Sequence, residues 1–159
     1  MNIIQVQTPQ HIEEIRLLFR EYEQFLNVDL CFQGFEAELA GLPGRYGPPA
    51  GSLLIALDGQ HAAGCVALRK IDEGICEMKR LYVRPGYRGK GLGRLLARAI
   101  IDEAARLGYD LMRLDTLDTL KQAMKLYSSF GFTKTDPYYH NPLEGVVYWE
   151  LQLNGKEAL

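Results

Sequence analysis

Downstream of Thr8 the apolar residues recur every three or four positions. Ile12, Ile15, Leu18, Phe19, Tyr22, Phe25 and Leu26 form one stripe, with Glu13, Glu14, Arg16, Arg20 and Glu23 outside it. Thr8 suits an N-cap and Pro9 the first helical position, so the spacing predicts a helix to about Asn27. Tyr22 is read as core on that stripe, with a place in a substrate cleft as the alternative. A second stripe, Leu92, Leu95, Leu96, Ala99, Ile100 and Ala104, predicts a helix over 91–107 that Gly108 ends. A third helix is expected over about 119–130, capped by Asp118 and closed by Gly131. A short helical pattern covers 35–40, inside a turn-rich, irregular stretch from Asp29 to Ala50.

The remaining patterned segments have the period or composition of strands: 2–7, 52–57, 60–70, 75–83, 111–114, 132–135 and 145–153. Asp58-Gly59 predicts a tight hairpin, Asp72-Glu73-Gly74 a second turn, and Gly64 a possible bulge. The strand before the long helix and the strand after it form a βαβ unit, so these two should lie parallel and adjacent. The 159 residues suffice for one domain, 1–159, and contain no internal repeat.

Charge changes the picture at one place. The net charge is −2, yet seven Lys or Arg and no acidic residue lie between Lys79 and Arg98. There the strand ending Leu81-Tyr82-Val83 stops at Arg84-Pro85-Gly86, and Arg88-Gly89-Lys90-Gly91-Leu92-Gly93 opens the long helix. A helix N-terminus carries unpaired N–H groups and the positive end of the dipole, and glycines let a phosphate approach them. A polyanionic ligand is therefore expected on this turn. A Walker loop would need Ser or Thr after Lys90, where Gly91 stands, and the glycine spacing and depth in the chain do not suit a dinucleotide fold. The basic residues crowd one turn with no aromatic stacking series, which disfavours nucleic acid.

Cys31, Cys65 and Cys76 are odd in number and lack paired spacing, so neither a disulfide framework nor a metal site is expected. Cys65 and Cys76 read as small buried hydrophobes. His11, His61 and His140 are scattered. No apolar run long enough to span a membrane and no signal peptide is seen, which points to a cytoplasmic, reducing location.

The string Arg88-Gly89-Lys90-Gly91-Leu92-Gly93 resembles the (Gln/Arg)-x-x-Gly-x-(Gly/Ala) motif of the GCN5-related N-acetyltransferase family. Leu81-Tyr82-Val83-Arg84-Pro85 resembles the segment before that motif. Ala123-Met124-Lys125-Leu126-Tyr127, followed by Gly131-Phe132, resembles a later one. The resemblance covers about Ser52 to Leu151. It implies an α/β (α+β) acyl-CoA N-acyltransferase-like fold: a mixed, mostly antiparallel sheet of six to seven strands with helices on both faces.

The resemblance also implies a function: transfer of an acetyl group from acetyl-CoA, as co-substrate and without a metal, to a primary amine that attacks the thioester directly. The backbone of Arg88, Gly89, Lys90, Gly91, Leu92, Gly93 and Arg94 would hold the pyrophosphate. Leu81, Tyr82 and Val83 would pair with the pantetheine arm where two strands splay, and an N–H near Leu81 or Tyr82 would polarise the carbonyl. Tyr127 matches the tyrosine that protonates the thiol sulfur; packing beneath the cofactor is the alternative. Glu77 is the candidate base, placed by alternation on the face of Leu81 and Val83 unless a bulge changes the parity, with pairing to Lys79 or Arg69 as the alternative. Asp115 and His140 are weaker candidates for that role. Leu120 stands where the family often has an asparagine, leaving Thr116, Asp118 or Thr119 to supply its contact. The acceptor is expected to be a small-molecule or peptide amine bordered by the variable 29–50 region, and a homodimer is possible. The alternative function is a non-catalytic acyl-CoA sensor of the same fold.

Overall fold

The computed structural model describes residues 1–30 and 34–153, so Cys31 lies outside the described residues. Seven strands form one sheet: β1 (Asn2–Gln5), β2 (Ser52–Asp58), β3 (His61–Asp72), β4 (Ile75–Val83), β5 (Leu111–Leu117), β6 (Thr133–Thr135) and β7 (Val146–Gln152). Their order across the sheet is β1-β2-β3-β4-β5-β7-β6. Only β4 and β5 run parallel; the other neighbours are antiparallel. The predicted βαβ unit is thus present, and β5 runs three residues beyond its expected end.

Helices α1 (Pro9–Leu26) and α2 (Phe35–Ala40) cover one face. Their Ile15, Leu18, Phe19, Phe35 and Leu39 pack against Ile55, Cys65, Ala67 and Tyr82 of the sheet. Helices α3 (Leu92–Arg106) and α4 (Lys121–Ser129) cover the other. There Leu96, Ile100, Ile101 and Ala104 meet Val66, Leu68, Met78 and Met112. Burying a side chain of this size is worth roughly 1.5–3 kcal/mol, which makes these two stripes the chief reason the helices form here.

The local signals act largely as the sequence implies. The Thr8 hydroxyl accepts from the His11 N–H at 3.1 Å, capping α1. Cys65 and Cys76 are buried, unpaired thiols. Burial pushes the Cys76 thiol up to about 12, so it behaves as a hydrophobe and not as a nucleophile. Asp118 does not cap α4, whose N-cap is Leu120 with no side-chain bond. The Asp118 N–H instead donates to the Gly145 carbonyl at 2.8 Å, tying the end of β5 to the start of β7.

Two irregularities in the middle of the sheet position everything that follows. The β2–β3 register shifts at Ala56/Leu57, where Gly64 sits in β3. A Cβ on Gly64 would lie 2.6 Å from the Tyr82 carbonyl oxygen, so only glycine fits there. In β4, Tyr82 lies opposite Cys65 and Lys79 opposite Ala67, so three steps on β4 match two on β3. The extra residue is accommodated at Arg80, which has φ 61°.

Candidate active site

The bulge at Arg80 reverses the side-chain alternation of β4. Cys76 and Met78 face α3 and α4, and after the bulge Leu81 and Val83 do as well. Glu77, Lys79, Arg80 and Tyr82 all face α1 and α2. Arg80 stacks on Tyr22 and Phe35 there, and Tyr82 belongs to that core. This corrects the expectation that Glu77 shares a face with Leu81 and Val83.

The parallel pairing of β4 with β5 covers only Ile75, Cys76 and Glu77 against Leu111, Met112 and Arg113. Both strands continue without each other, to Val83 and Leu117. Main-chain groups of β4 that point across this gap have no strand to bond, which leaves room for an extended chain to pair there. A cavity of roughly 790 Å³ runs through the gap. On the α3/α4 side it is lined by Leu81, Val83, Gly91, Leu92 and Tyr127; on the α1 side by Tyr22, Lys79, Arg80, Asp115 and Asn141.

The α3/α4 end suits a diphosphate. Gly91, with φ 81°, is the N-cap of α3, and no side chain caps the helix. A Cβ built on Gly89 or Gly91 meets nothing within 4 Å, so the space before these amides is open. Gly89, Gly93, Arg88 and Arg94 also line the cavity, as does Tyr82. Lys90 does not: it is exposed, with Nζ 6.0 Å from the Tyr87 ring centre. The Arg88 N–H is already used by the Pro85 carbonyl at 3.3 Å. Its guanidinium folds back, donating to the Val83 carbonyl at 2.8 Å and lying 4.6 Å over Phe25. Arg94 Nη2 donates to Ser129 Oγ at 2.8 Å, which ties α3 to α4. Thr116, Thr119 and Leu120 line the cavity near the position of the missing asparagine, and Asp118 does not.

Tyr127, on α4, is buried and lines the cavity, its ring 5.7 Å from that of Phe132. Burial is the main influence that raises its phenol above the ordinary value, so the hydroxyl stays protonated.

Glu77 is 1% exposed and does not line the cavity. One carboxylate oxygen accepts from Arg69 Nε at 2.8 Å, with Lys79 Nζ at 3.9 Å, and the other accepts from the Tyr138 hydroxyl at 2.6 Å. Burial alone would push the carboxyl up. Lys79, Arg69 and the Tyr138 bond outweigh that and hold it below the usual carboxylate range. The pairing with Arg69 and Lys79 considered from sequence is thus present.

Asp115, one residue past Leu114 on β5, does line the cavity. Its Oδ2 accepts from the Tyr139 hydroxyl and, at 3.3 Å, from Asn141 Nδ2. Its Oδ1 accepts no hydrogen bond among the described residues. His140 is exposed and outside the cavity. Tyr138, Tyr139 and Asn141 come from the loop between β6 and β7. Tyr138 and Tyr139 stack on each other and on Tyr148, closing the α1 side of β5. The signal available was a run of aromatic and polar residues between Pro137 and Pro142.

The profile of the acetyltransferase (GNAT) family matches residues 12–132. The chain belongs to this family. An uncharacterized N-acetyltransferase of Schizosaccharomyces pombe is 49% identical over 157 residues, covering 97% of this chain and 96% of that one. The fold resembles that of a GNAT-family acetyltransferase from Staphylococcus aureus, with a TM-score of 0.80 at 22% identity over 96% of this chain and 98% of that one. It also resembles a Salmonella typhimurium acetyltransferase solved with acetyl-CoA, with a TM-score of 0.72 at 24% identity over 96% and 94%. Among the described residues, no group of His, Cys, Asp and Glu could hold a metal ion, and no helix is long and apolar enough to cross a membrane.

Proposed function

We propose that this acetyltransferase moves an acetyl group from acetyl-CoA to a primary amine by direct attack on the thioester. The observation that carries the reading is the continuous cavity. It joins an uncapped helix N-terminus on one face of the sheet to a carboxylate with an open lone pair on the other. Acetyl-CoA, when bound, supplies the activated acyl group.

The amides of Gly89 to Arg94 hold the diphosphate, and the backbone of β4 from Leu81 to Val83 holds the pantetheine arm in the place of a missing strand. The β4 main chain beside the bulge donates to the carbonyl oxygen as charge develops there. Asp115 Oδ1 accepts a hydrogen bond from the amine and takes the proton its nitrogen sheds on forming the new C–N bond. Tyr127 donates its phenolic hydrogen toward the sulfur as the C–S bond breaks, and is reloaded from solvent. Glu77 acts behind this line by holding Arg69, Lys79 and Tyr138. The slot also turns a bimolecular attack into a local one, an effect worth up to roughly 7–11 kcal/mol in favourable systems.

The test is release of free thiol from acetyl-CoA with a panel of primary amines, compared with calorimetric binding of CoA alone. Turnover with at least one amine is expected. Binding without turnover across the panel would reduce the protein to a coenzyme-binding module. Tyr127→Phe is expected to lower kcat about tenfold with little change in CoA affinity, because one hydrogen bond worth about 1.5 kcal/mol, and not the binding surface, is removed.

A further inference from the structure

The α1 side of the cavity is where the acceptor enters under the reading above, and its charges say what the acceptor carries. Glu77, Lys79 and Arg80 from β4, Arg69 from β3, Glu38 from α2 and Asp115 from β5 form one buried or half-buried cluster. Its three cations and three carboxylates sum to zero. Two of the cations make short hydrogen-bonded pairs with carboxylates. Arg80 makes a two-pronged pair with Glu38, at 3.0 Å for each bond, and Arg69 is 2.8 Å from Glu77.

The third cation, Lys79, is 7% exposed and lines the cavity. Glu77 is 3.9 Å from its Nζ, beyond hydrogen-bond length. An ammonium has three hydrogens to donate, so it can keep its protein partners and still take a ligand. Lys79 and Asp115 are each two residues beyond the last β4–β5 pair, Glu77 with Arg113, and point to the same face. They stand opposite each other on the two walls of the gap.

When an acceptor arrives as its ammonium and pairs with Asp115, the cluster, neutral before, carries one positive charge in excess. Such an uncompensated charge inside a protein is costly. A second anionic group on the acceptor restores neutrality. We propose that the acceptor is a short amino acid, its amine held by Asp115 and its carboxylate by Lys79. The walls begin one strand spacing apart, about 4.8 Å at the last pair, and diverge from there. Groups on neighbouring strands just past that pair suit an acceptor whose two charges lie a few bonds apart, as in an α- or β-amino acid. Burial already draws the Lys79 ammonium down to about 8, with Glu77 opposing. An arriving carboxylate relieves that penalty, whereas a diamine would add to it.

The test uses matched acceptors that differ only in the carboxylate: alanine against ethylamine, β-alanine against propylamine, and ethylenediamine as the dication. With the full chain and saturating acetyl-CoA, kcat/KM is expected to be at least tenfold higher for the amino acid of each pair. The ratio should fall to near one in Lys79→Met and recover in Lys79→Arg. CoA binding by each variant reports that it is folded. A second arm needs no turnover: the same amino acids should raise the melting temperature of the CoA-bound protein, and not that of CoA-bound Lys79→Met. Equal or better use of the plain amine or the diamine would overturn the proposal, and so would a preference that survives in Lys79→Met. If no amine releases thiol, the transferase reading fails. The melting arm then still decides whether this is an amino-acid site, and an absent shift sinks it.

Discussion

Gly91, Asp115, Glu77 and Lys79 are the positions at which single substitutions separate binding, chemistry and stability. Gly91→Ala places an L residue at φ 81° and a methyl group in the open space before the α3 amides. The backbone strain is expected to cost about 1–2 kcal/mol of stability, and CoA affinity should fall by about tenfold or more, since 1.4 kcal/mol is one decade. Denaturant titration and calorimetry read the two effects separately. Asp115→Asn should lower kcat/KM by about a hundredfold or more with CoA affinity intact, the scale on which a positioned base acts. Glu77→Gln should behave differently, destabilising the fold by about 3 kcal/mol through the charges it leaves unpaired, with a smaller effect on turnover per folded molecule. Lys79 adds a pH signature. It titrates near 8 in the fold against an ordinary value of 10.5. Below pH 8 both states hold the proton and the fold carries the full penalty. Between the two values the unfolded chain binds more protons, so stability rises with pH. The gap corresponds to about 3 kcal/mol. The stability difference between wild type and Lys79→Met, measured by urea unfolding from pH 7 to 10, should therefore move in favour of wild type as pH rises.

At the scale of elements, β4 decides which side chains meet. Its ends, its partner strands and the glycine turn after it were legible, because alternation, Pro85 and the Gly89–Gly93 string mark them. The bulge was not. Arg80 at φ 61° carries no residue-type signal, since this conformation favours glycine, and the conformation is held by tertiary contacts. Those contacts are the Glu38 carboxylate on α2 and the rings of Tyr22 and Phe35. One unmarked residue therefore moved Glu77 to the opposite face from Leu81 and put Lys79 in the cavity. The pairing of Asp115 with Tyr139 and Asn141 was hidden for another reason: their separation of two dozen residues or more leaves no local pattern. A double-mutant cycle tests the α2–β4 latch. Glu38→Gln and Arg80→Met should each cost about 3 kcal/mol, and the double variant clearly less than their sum, because the pair removed together leaves no orphan charge. Additive losses in urea unfolding would show that the two side chains do not stabilise one another.

Across the whole molecule, two cores on opposite faces of one sheet are joined where β4 and β5 part. The α3/α4 face presents glycines and unpaired amides, and the α1/α2 face presents a balanced cluster of buried charge. The gap between β4 and β5 is the passage from one to the other. The most direct measurement is a crystal structure of the protein soaked with acetyl-CoA. The account predicts the diphosphate on the Gly89 to Arg94 amides, the pantetheine arm alongside Leu81 to Val83, and the acetyl group in the gap between Tyr127 and Asp115. Coenzyme bound at another surface, or an acetyl group turned away from the gap between the strands, would contradict it.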